Sequence, residues 1–455
     1  MAELDDTGAT VATGAIVATT AEPSRAYAWY AVGVLVLAYA FSFLDRQVLS
    51  LLVEPIKRDL GLSDTEISLL QGFSFALFNA LGGLPIGRLV DTGRRMTIIP
   101  IGIAFWSLAT AGCGLVRGFA GLLLCRMAVG VGEASLTPSA YSVIADAVPR
   151  KRLGLALGIF SMGVHLGAGL AFVLGGALVA SLSTGGGPDW PLVGRLHPWQ
   201  ATFVVVGLPG LLVAAWTATL REPARRGAGP TPLPLREVLA YFRANARSLT
   251  ALMLCAAFAS MTSYGVTAWS PSFLVRTFGW SIAEAGRSYG AIVIVCGMLG
   301  VVAGGLAGDR LVARGVRNGR LMVMAAASAC ALPFTVAAPL MSDPTTALLL
   351  MAPATFLGTV TIGTGPAALQ EILPNRMRGL GTSLAVLVVN LIGLGLGPTL
   401  IALMTDYVIG DETQLRYSLA LVPLATLTLS AACGLAALKP YLRSRALLDG
   451  FGAGS

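Results

Sequence analysis

Long apolar runs dominate this chain and leave few folds open to it. Twelve reach the roughly 20 residues that a helix needs to cross the hydrocarbon core of a bilayer. They cover 28–54, 64–88, 96–117, 119–147, 154–183 and 198–220 in the first half. In the second half they cover 249–277, 281–308, 319–341, 344–372, 376–406 and 415–438. Lipid offers no partner to a bare backbone, so segments of this length must bond internally as helices. The expected fold class is an all-α membrane protein with twelve transmembrane helices. Only 12% of residues are charged, against about 25% in a soluble domain. The 55 glycines suit helices that approach one another closely.

The basic residues orient the bundle. With the N-terminus inside, the cytoplasmic segments hold about 22 Lys and Arg and the outer segments about 7, so both termini are expected in the cytoplasm. This pattern also accounts for the net charge of +8 without a nucleic-acid partner. Residues 1–25 begin acidic and lack the basic start of a signal peptide; they read as a disordered cytoplasmic tail. The long polar break at 221–248 separates two six-helix bundles, 26–220 and 249–440. Its basic amphipathic piece, 236–247, suits the inner membrane surface. Residues 441–455 read as a second cytoplasmic tail. All six cysteines fall in apolar runs without CxxC spacing and read as small buried packing residues.

The two halves repeat each other. Gly87-Arg-Leu-Val-Asp91 ends the second run and Gly305-Leu-Ala-Gly-Asp309 ends the eighth. Asp146-Ala-Val-Pro149 ends the fourth and Glu371-Ile-Leu-Pro374 the tenth, each followed by basic residues. The offsets are 218 and 225 residues. Gly, Asp and Arg cluster at inner membrane faces in any case, but two matches in register indicate an internal repeat. Such a repeat is typical of carriers whose halves rock against each other.

These motifs resemble the major facilitator superfamily. GRLVDTGRR (87–95) is similar to its signature between spans 2 and 3, one residue shorter after Asp91. Arg126, Gly130, Gly132 and Ala134 match its fourth-span pattern R-x-x-x-G-x-G-x-A. The fifth run is glycine-rich as in the family, with Ala168 where proline is usual. Within the superfamily, FLDRQVLSLLVEPIKRDLGLSDTEISLLQG (43–72), GVGEAS (130–135), WSPSFLVR (269–276) and NLIGLGLGPTLIALMTD (390–406) resemble the Spinster-like lipid transporters. The resemblance implies proton-linked movement of a lysophospholipid or sphingosine-1-phosphate-like amphiphile through a rocking bundle.

Four charges lie inside spans: Asp45, Arg46, Arg126 and Glu133. Each costs about 2.5–3.5 kcal/mol at the centre of a spanning helix on insertion scales, so they should face a cavity and one another. Arg126 and Glu133 are seven residues apart and share one helix face about 10 Å apart. Competition of Asp45 and Glu133 for the two arginines would make proton binding depend on conformation. Arg46 would also suit a phosphate headgroup. The alternative is a structural salt-bridge cluster locking spans 1 and 4.

His165, in mid-span 5, is a candidate relay or packed helix contact. Gln71, Phe75, Tyr141, Tyr264, Trp269 and Ser270 are cavity-lining candidates, with Arg46 and Glu133 completing the substrate-binding set. Asp91, Arg94, Arg95, Asp146, Asp309, Arg310 and Glu371 sit at the inner face. They are expected to gate that end in the outward-facing state. Gly286-Arg-Ser-Tyr-Gly290 and Gly363-Thr-Gly-Pro-Ala-Ala368 mimic enzyme motifs but lack a preceding strand. No phosphate-binding loop or HExxH occurs, so no enzyme activity, cofactor or metal is expected. The partners expected are an amphiphilic lipid, protons and membrane lipid. The protein is expected to act as a monomer in a bacterial inner membrane. A multidrug or small organic-acid proton carrier is the competing reading.

Overall fold

The computed structural model describes residues 24–149, 152–183, 189–190, 194–225, 235–374 and 377–452. Among them, eleven helices are long and apolar enough to cross a membrane. In the first half these are Arg25–Leu51, Arg95–Cys113, Phe119–Ala147, Leu153–Ser183 and Pro198–Ala218. In the second they are Ala246–Phe278, Ile282–Ala313, Gly319–Leu340, Pro344–Gln370, Gly381–Ile409 and Glu412–Leu448. A bent pair, Asp64–Gly83 and Pro85–Thr92, meets at 41° and supplies the second span of twelve. Proline lacks the N–H that would continue the ladder there.

Local chemistry sets where the spans begin. Ser24 accepts from the Tyr27 N–H at 3.2 Å and caps the first span. The second and eighth open on the same device: Ser63 with Glu66 and Ser281 with Glu284 form reciprocal capping boxes. These positions correspond under the internal repeat. The second and eighth spans each also contain a π-helical turn, Leu69–Phe73 and Val293–Gly297, and the eleventh has one at Leu391–Gly395.

The halves meet mainly through the fifth span against the eighth and the second against the eleventh. Backbones touch here. A methyl on Gly290 would lie 2.8 Å from the Gly169 carbonyl oxygen, and one on Gly286 would overlap the Phe172 carbonyl. The serine-containing motif 286–290 is therefore a helix contact. On the second span, Gly72 leaves room for the Leu394 carbonyl.

Several sequence expectations are adjusted. The last helix runs to Gly452 instead of giving way to a tail at 441. A helix over Leu235–Ala244 does form in the linker. It docks on the second half through buried Val238 and the Tyr241 hydroxyl, which donates to the Ile372 carbonyl at 2.6 Å. A two-stranded hairpin pairs Trp190 with Gly194 between spans 5 and 6. Of the six cysteines, Cys113 and Cys255 are buried, Cys125, Cys296 and Cys433 are partly buried, and Cys330 is exposed. An apolar residue on the rim of such a bundle faces lipid, so apolar sequence context did not imply burial. Of the tail expected over 1–25, residues 1–23 lie outside the described residues, as do linker residues 226–234, while Ser24 and Arg25 already belong to the start of the first helix.

Candidate functional site

Two of the four intramembrane charges pair directly. Arg46 Nη2 pairs with Glu133 Oε2, which also accepts from Ser42 Oγ at 2.6 Å. The guanidinium carbon of Arg46 lies 4.3 Å from the Phe43 ring centroid and 4.2 Å from that of Phe75. Two aromatic faces and one carboxylate thus replace its hydration. Arg126 is fully buried. Its Nε donates to the Leu70 carbonyl at 3.2 Å, and its Nη1 to the Asp45 main-chain carbonyl at 3.4 Å.

Asp45 departs from the expected competition. Its side chain is fully buried, yet neither carboxylate oxygen has a hydrogen-bond or ion-pair partner among the described residues. Arg46, the next residue, is turned to Glu133, and Arg126 grips the Asp45 backbone. Buried polar groups without partners are rare in folded proteins and mark places where function overrides stability.

Beside this cluster a cavity encloses about 1050 Å³ of empty space, its mouth included. Phe43 and Gln47 of span 1 and His165 of span 5 face it from the first half. Tyr264 and Ser270 of span 7 and Tyr289 of span 8 face it from the second. The remaining lining residues are aliphatic, aromatic, glycine, Ser or Thr, with no Asp, Glu, Lys or Arg. Of the lining candidates read from sequence, His165, Tyr264 and Ser270 are brought together here. Arg46 and Glu133 lie behind the wall, and Phe75 is buried beneath Arg46. Gln71 donates across the halves to the Ala268 carbonyl at 3.4 Å. Trp269 donates to the Pro398 carbonyl at 3.0 Å, joining spans 7 and 11. Tyr141 is 41% exposed and packs edge-on against Phe160.

The ion pairs crossing between halves lie at the end opposite the termini. Arg276 Nε donates to Glu54 at 2.7 Å, and its two terminal nitrogens hold Asp64 at 2.6 and 2.7 Å. Lys57 pairs with both Asp64 and Glu412, the latter at 2.6 Å. Asp406 accepts from the Thr65 amide at 2.7 Å and hydroxyl at 2.6 Å. The sequence reading passed over these residues. Their one signal was an excess of acids and bases beside the capping serine of span 2.

At the terminal end, Arg95 and Arg320 each pair within their own half. Arg95 holds Asp146 and, at 2.6 Å, Glu222. Arg320 holds Glu371 and, at 2.7 Å, Asp309. Arg94 and Arg310 are exposed, and the Asp91 carbonyl accepts from Arg225. The structure is therefore closed at the far end, where Arg276 and Lys57 pair across the halves.

A family model described as Major Facilitator Superfamily matches residues 35–398. The chain belongs to the major facilitator superfamily. An MFS-type efflux pump of Mycolicibacterium smegmatis is 30% identical over 84% of this chain and 86% of that protein. A cis,cis-muconate transport protein of Acinetobacter baylyi is 26% identical over 75% of this chain and 81% of its own. Among solved structures, a bacterial homologue of the human lysosomal transporter Spinster, inward-facing and unoccupied, superimposes with a TM-score of 0.78. It is 31% identical over 93% of this chain and 99% of that one. This major facilitator protein is thus a Spinster-like, multi-pass membrane transporter. Its closed far end suits the conformation described for that neighbour.

Proposed function

We propose that this transporter moves an amphiphilic lipid, of lysophospholipid or sphingosine-1-phosphate type, by proton-coupled alternating access. The observation that carries the reading is the wall of the cavity. It is apolar and hydroxyl-lined without a fixed charge, while Arg46 stands behind Phe43 and Gln47 on the same helix. An acyl chain suits such a surface, since ligand pockets are lined predominantly by apolar side chains with a few polar groups. A phosphate headgroup would compete with Glu133 for Arg46, releasing that carboxylate and linking ligand to proton. Asp45 is the second coupling carboxylate, and Arg126 braces the helix that carries it. The excess of Lys and Arg at the terminal end supports cytoplasmic termini and hence an inward-facing state here. In the opposite state, Asp91, Arg94, Arg95, Asp146, Asp309, Arg310 and Glu371 would rearrange to close the cytoplasmic end. We place the protein as a monomer in a bacterial inner membrane.

The test is flux of a labelled lysolipid into proteoliposomes across an imposed pH gradient, with Asp45→Asn beside the wild type. Gradient-driven flux that Asp45→Asn uncouples supports the reading. Equal lipid flux in both proteins at every pH reduces the protein to a facilitator. Likeness to the muconate transport protein favours a second reading, an organic-acid carrier. That reading demands a cation at the ligand, which the cavity wall does not present. Muconate flux without lysolipid flux would decide for it.

A further inference from the structure

His165 joins the cavity to the other half of the protein. It lies within span 5, is 6% exposed and lines the cavity. Its ring rests on Gly297 of span 8, where an added methyl would overlap the imidazole Cδ2 and lie 3.0 Å from its Cγ. Gly297 closes the π-helical turn Val293–Gly297, a distortion frequent at functional sites. The seat is one rung of the contact between spans 5 and 8. The other rungs set Gly176 against Ala283, Gly286 against Phe172 and Gly290 against Gly169, each glycine close to the opposing backbone. At 165 and 297 a polar side chain takes the place of backbone.

Unused hydrogen-bonding capacity sets His165 apart. Its Nδ1 is sealed in and has no partner among the described residues. Other polar groups of the wall are committed. Ser270, Thr335 and Thr359 donate to carbonyls of their own helices at 2.7, 2.8 and 3.0 Å. Thr262 pairs with Thr426 at 2.6 Å. A buried polar atom left unpaired is costly unless a ligand supplies the bond. Among the lining residues, His165 alone carries a basic ring nitrogen.

The chemistry narrows the partner. A neutral imidazole offers one N–H and one bare nitrogen, so it matches a group that both donates and accepts. A hydroxyl does both, an ionised phosphate only accepts, and an acyl chain does neither. Position agrees. Spans 1 and 5 run parallel, with Gly167 against the Ala40 carbonyl and Gly175 against Val48. His165 therefore lies about eight residues, or roughly 12 Å, nearer the terminal end than Arg46. Side chains reaching from these two levels would meet a headgroup phosphate and the hydroxyl beside it.

We propose that His165 is a specificity-determining residue that hydrogen-bonds the free backbone hydroxyl of a lysolipid, and so selects it over diacyl lipids, in which that oxygen is esterified. The inference rests on the lipid reading of the cavity. Because the ring is seated on Gly297, a ligand bonded to it also bridges the two halves.

The test compares proteoliposome flux of a labelled lysophospholipid with that of its methyl ether, in which only the hydroxyl is capped. Wild type should favour the free hydroxyl by about tenfold, the size of one unmade hydrogen bond. His165→Phe keeps a ring on Gly297 without nitrogens and should carry the two lipids at nearly equal rates. His165→Asn restores a donor and an acceptor and should recover part of the preference. Ligand-induced shifts in the unfolding temperature of detergent-purified protein repeat the comparison without flux. Equal handling of the two lipids by wild type, or an undiminished preference in His165→Phe, overturns this proposal alone. No flux of either lysolipid in wild type overturns it together with the lipid reading.

Discussion

Arg276 clamps Asp64 across the two halves, its Nη1 and Nη2 reaching separate carboxylate oxygens at 2.6 and 2.7 Å. Asp64 is fully buried and also receives Lys57, so two cations converge on one desolvated acid. Removing one partner of a buried pair costs about 3–5 kcal/mol because the other charge is left uncompensated. That cost falls on the conformation closed at this end. Asp64→Asn should therefore populate the far-end-open state. Spin labels at exposed positions 58 and 413 would report a longer distance in the variant. An unchanged distance distribution would show that the clamp does not hold this end shut.

The Arg46–Glu133 pair poses a different question, because it lies within one half. Glu133→Ala leaves Arg46 buried between Phe43 and Phe75 with no anion, and should lower stability by about 3–5 kcal/mol. Replacing both residues by leucine removes the stranded charge and should recover most of that loss. Thermal unfolding of detergent-purified protein measures the recovery, and lysolipid flux measures its use. Recovered stability without recovered flux separates a transport role from a structural lock. Recovery of both would leave the pair as packing.

The span count and the six-plus-six repeat were legible because bilayer thickness and helix periodicity act on single segments. The buried charges were also legible, since a charge in an apolar run needs a reason wherever it points. Which acid pairs with which base was not. Adjacent Asp45 and Arg46 point about 100° apart on a helix, and three-dimensional packing sent Arg46 to Glu133 and left the Asp45 carboxylate buried without a hydrogen-bond partner among the described residues. The clamp residues Glu54, Lys57, Asp64 and Arg276 were hidden for a related reason. Charges in short loops normally belong to solvent, and nothing local distinguishes those that meet across 212 residues.

Gly286 tests the contact between halves. Even one methyl there would overlap the Phe172 carbonyl, which is backbone and cannot rotate aside. Overpacking of this kind costs typically 1–3 kcal/mol. Gly286→Ala should weaken the far-end-closed arrangement and slow lysolipid flux while membrane insertion persists. Gly83, with open space around its added methyl, is the control. Equal flux in the two alanine variants would remove spans 5 and 8 as a tight contact.

The repeat also predicts an asymmetry. Arg95 and Arg320 occupy equivalent places, each bonded to the acid that ends the following span, Asp146 or Glu371. Their surroundings differ. Arg95 has a side chain 1% exposed and donates to Glu222, Ser142, Asp146 and the Pro223 carbonyl. Arg320 is 20% exposed and reaches Asp309, itself 65% exposed. Ion pairs open to water contribute about 0–1 kcal/mol, whereas loss of one partner from a buried network costs several times more. Glu371 also keeps Tyr441 at 2.6 Å and Arg445 at 3.2 Å when Arg320 is removed. Arg95→Gln should thus lower the unfolding temperature of purified protein clearly more than Arg320→Gln. An equal or reversed order would mean that burial of the Arg95 network does not govern the stability of the first half.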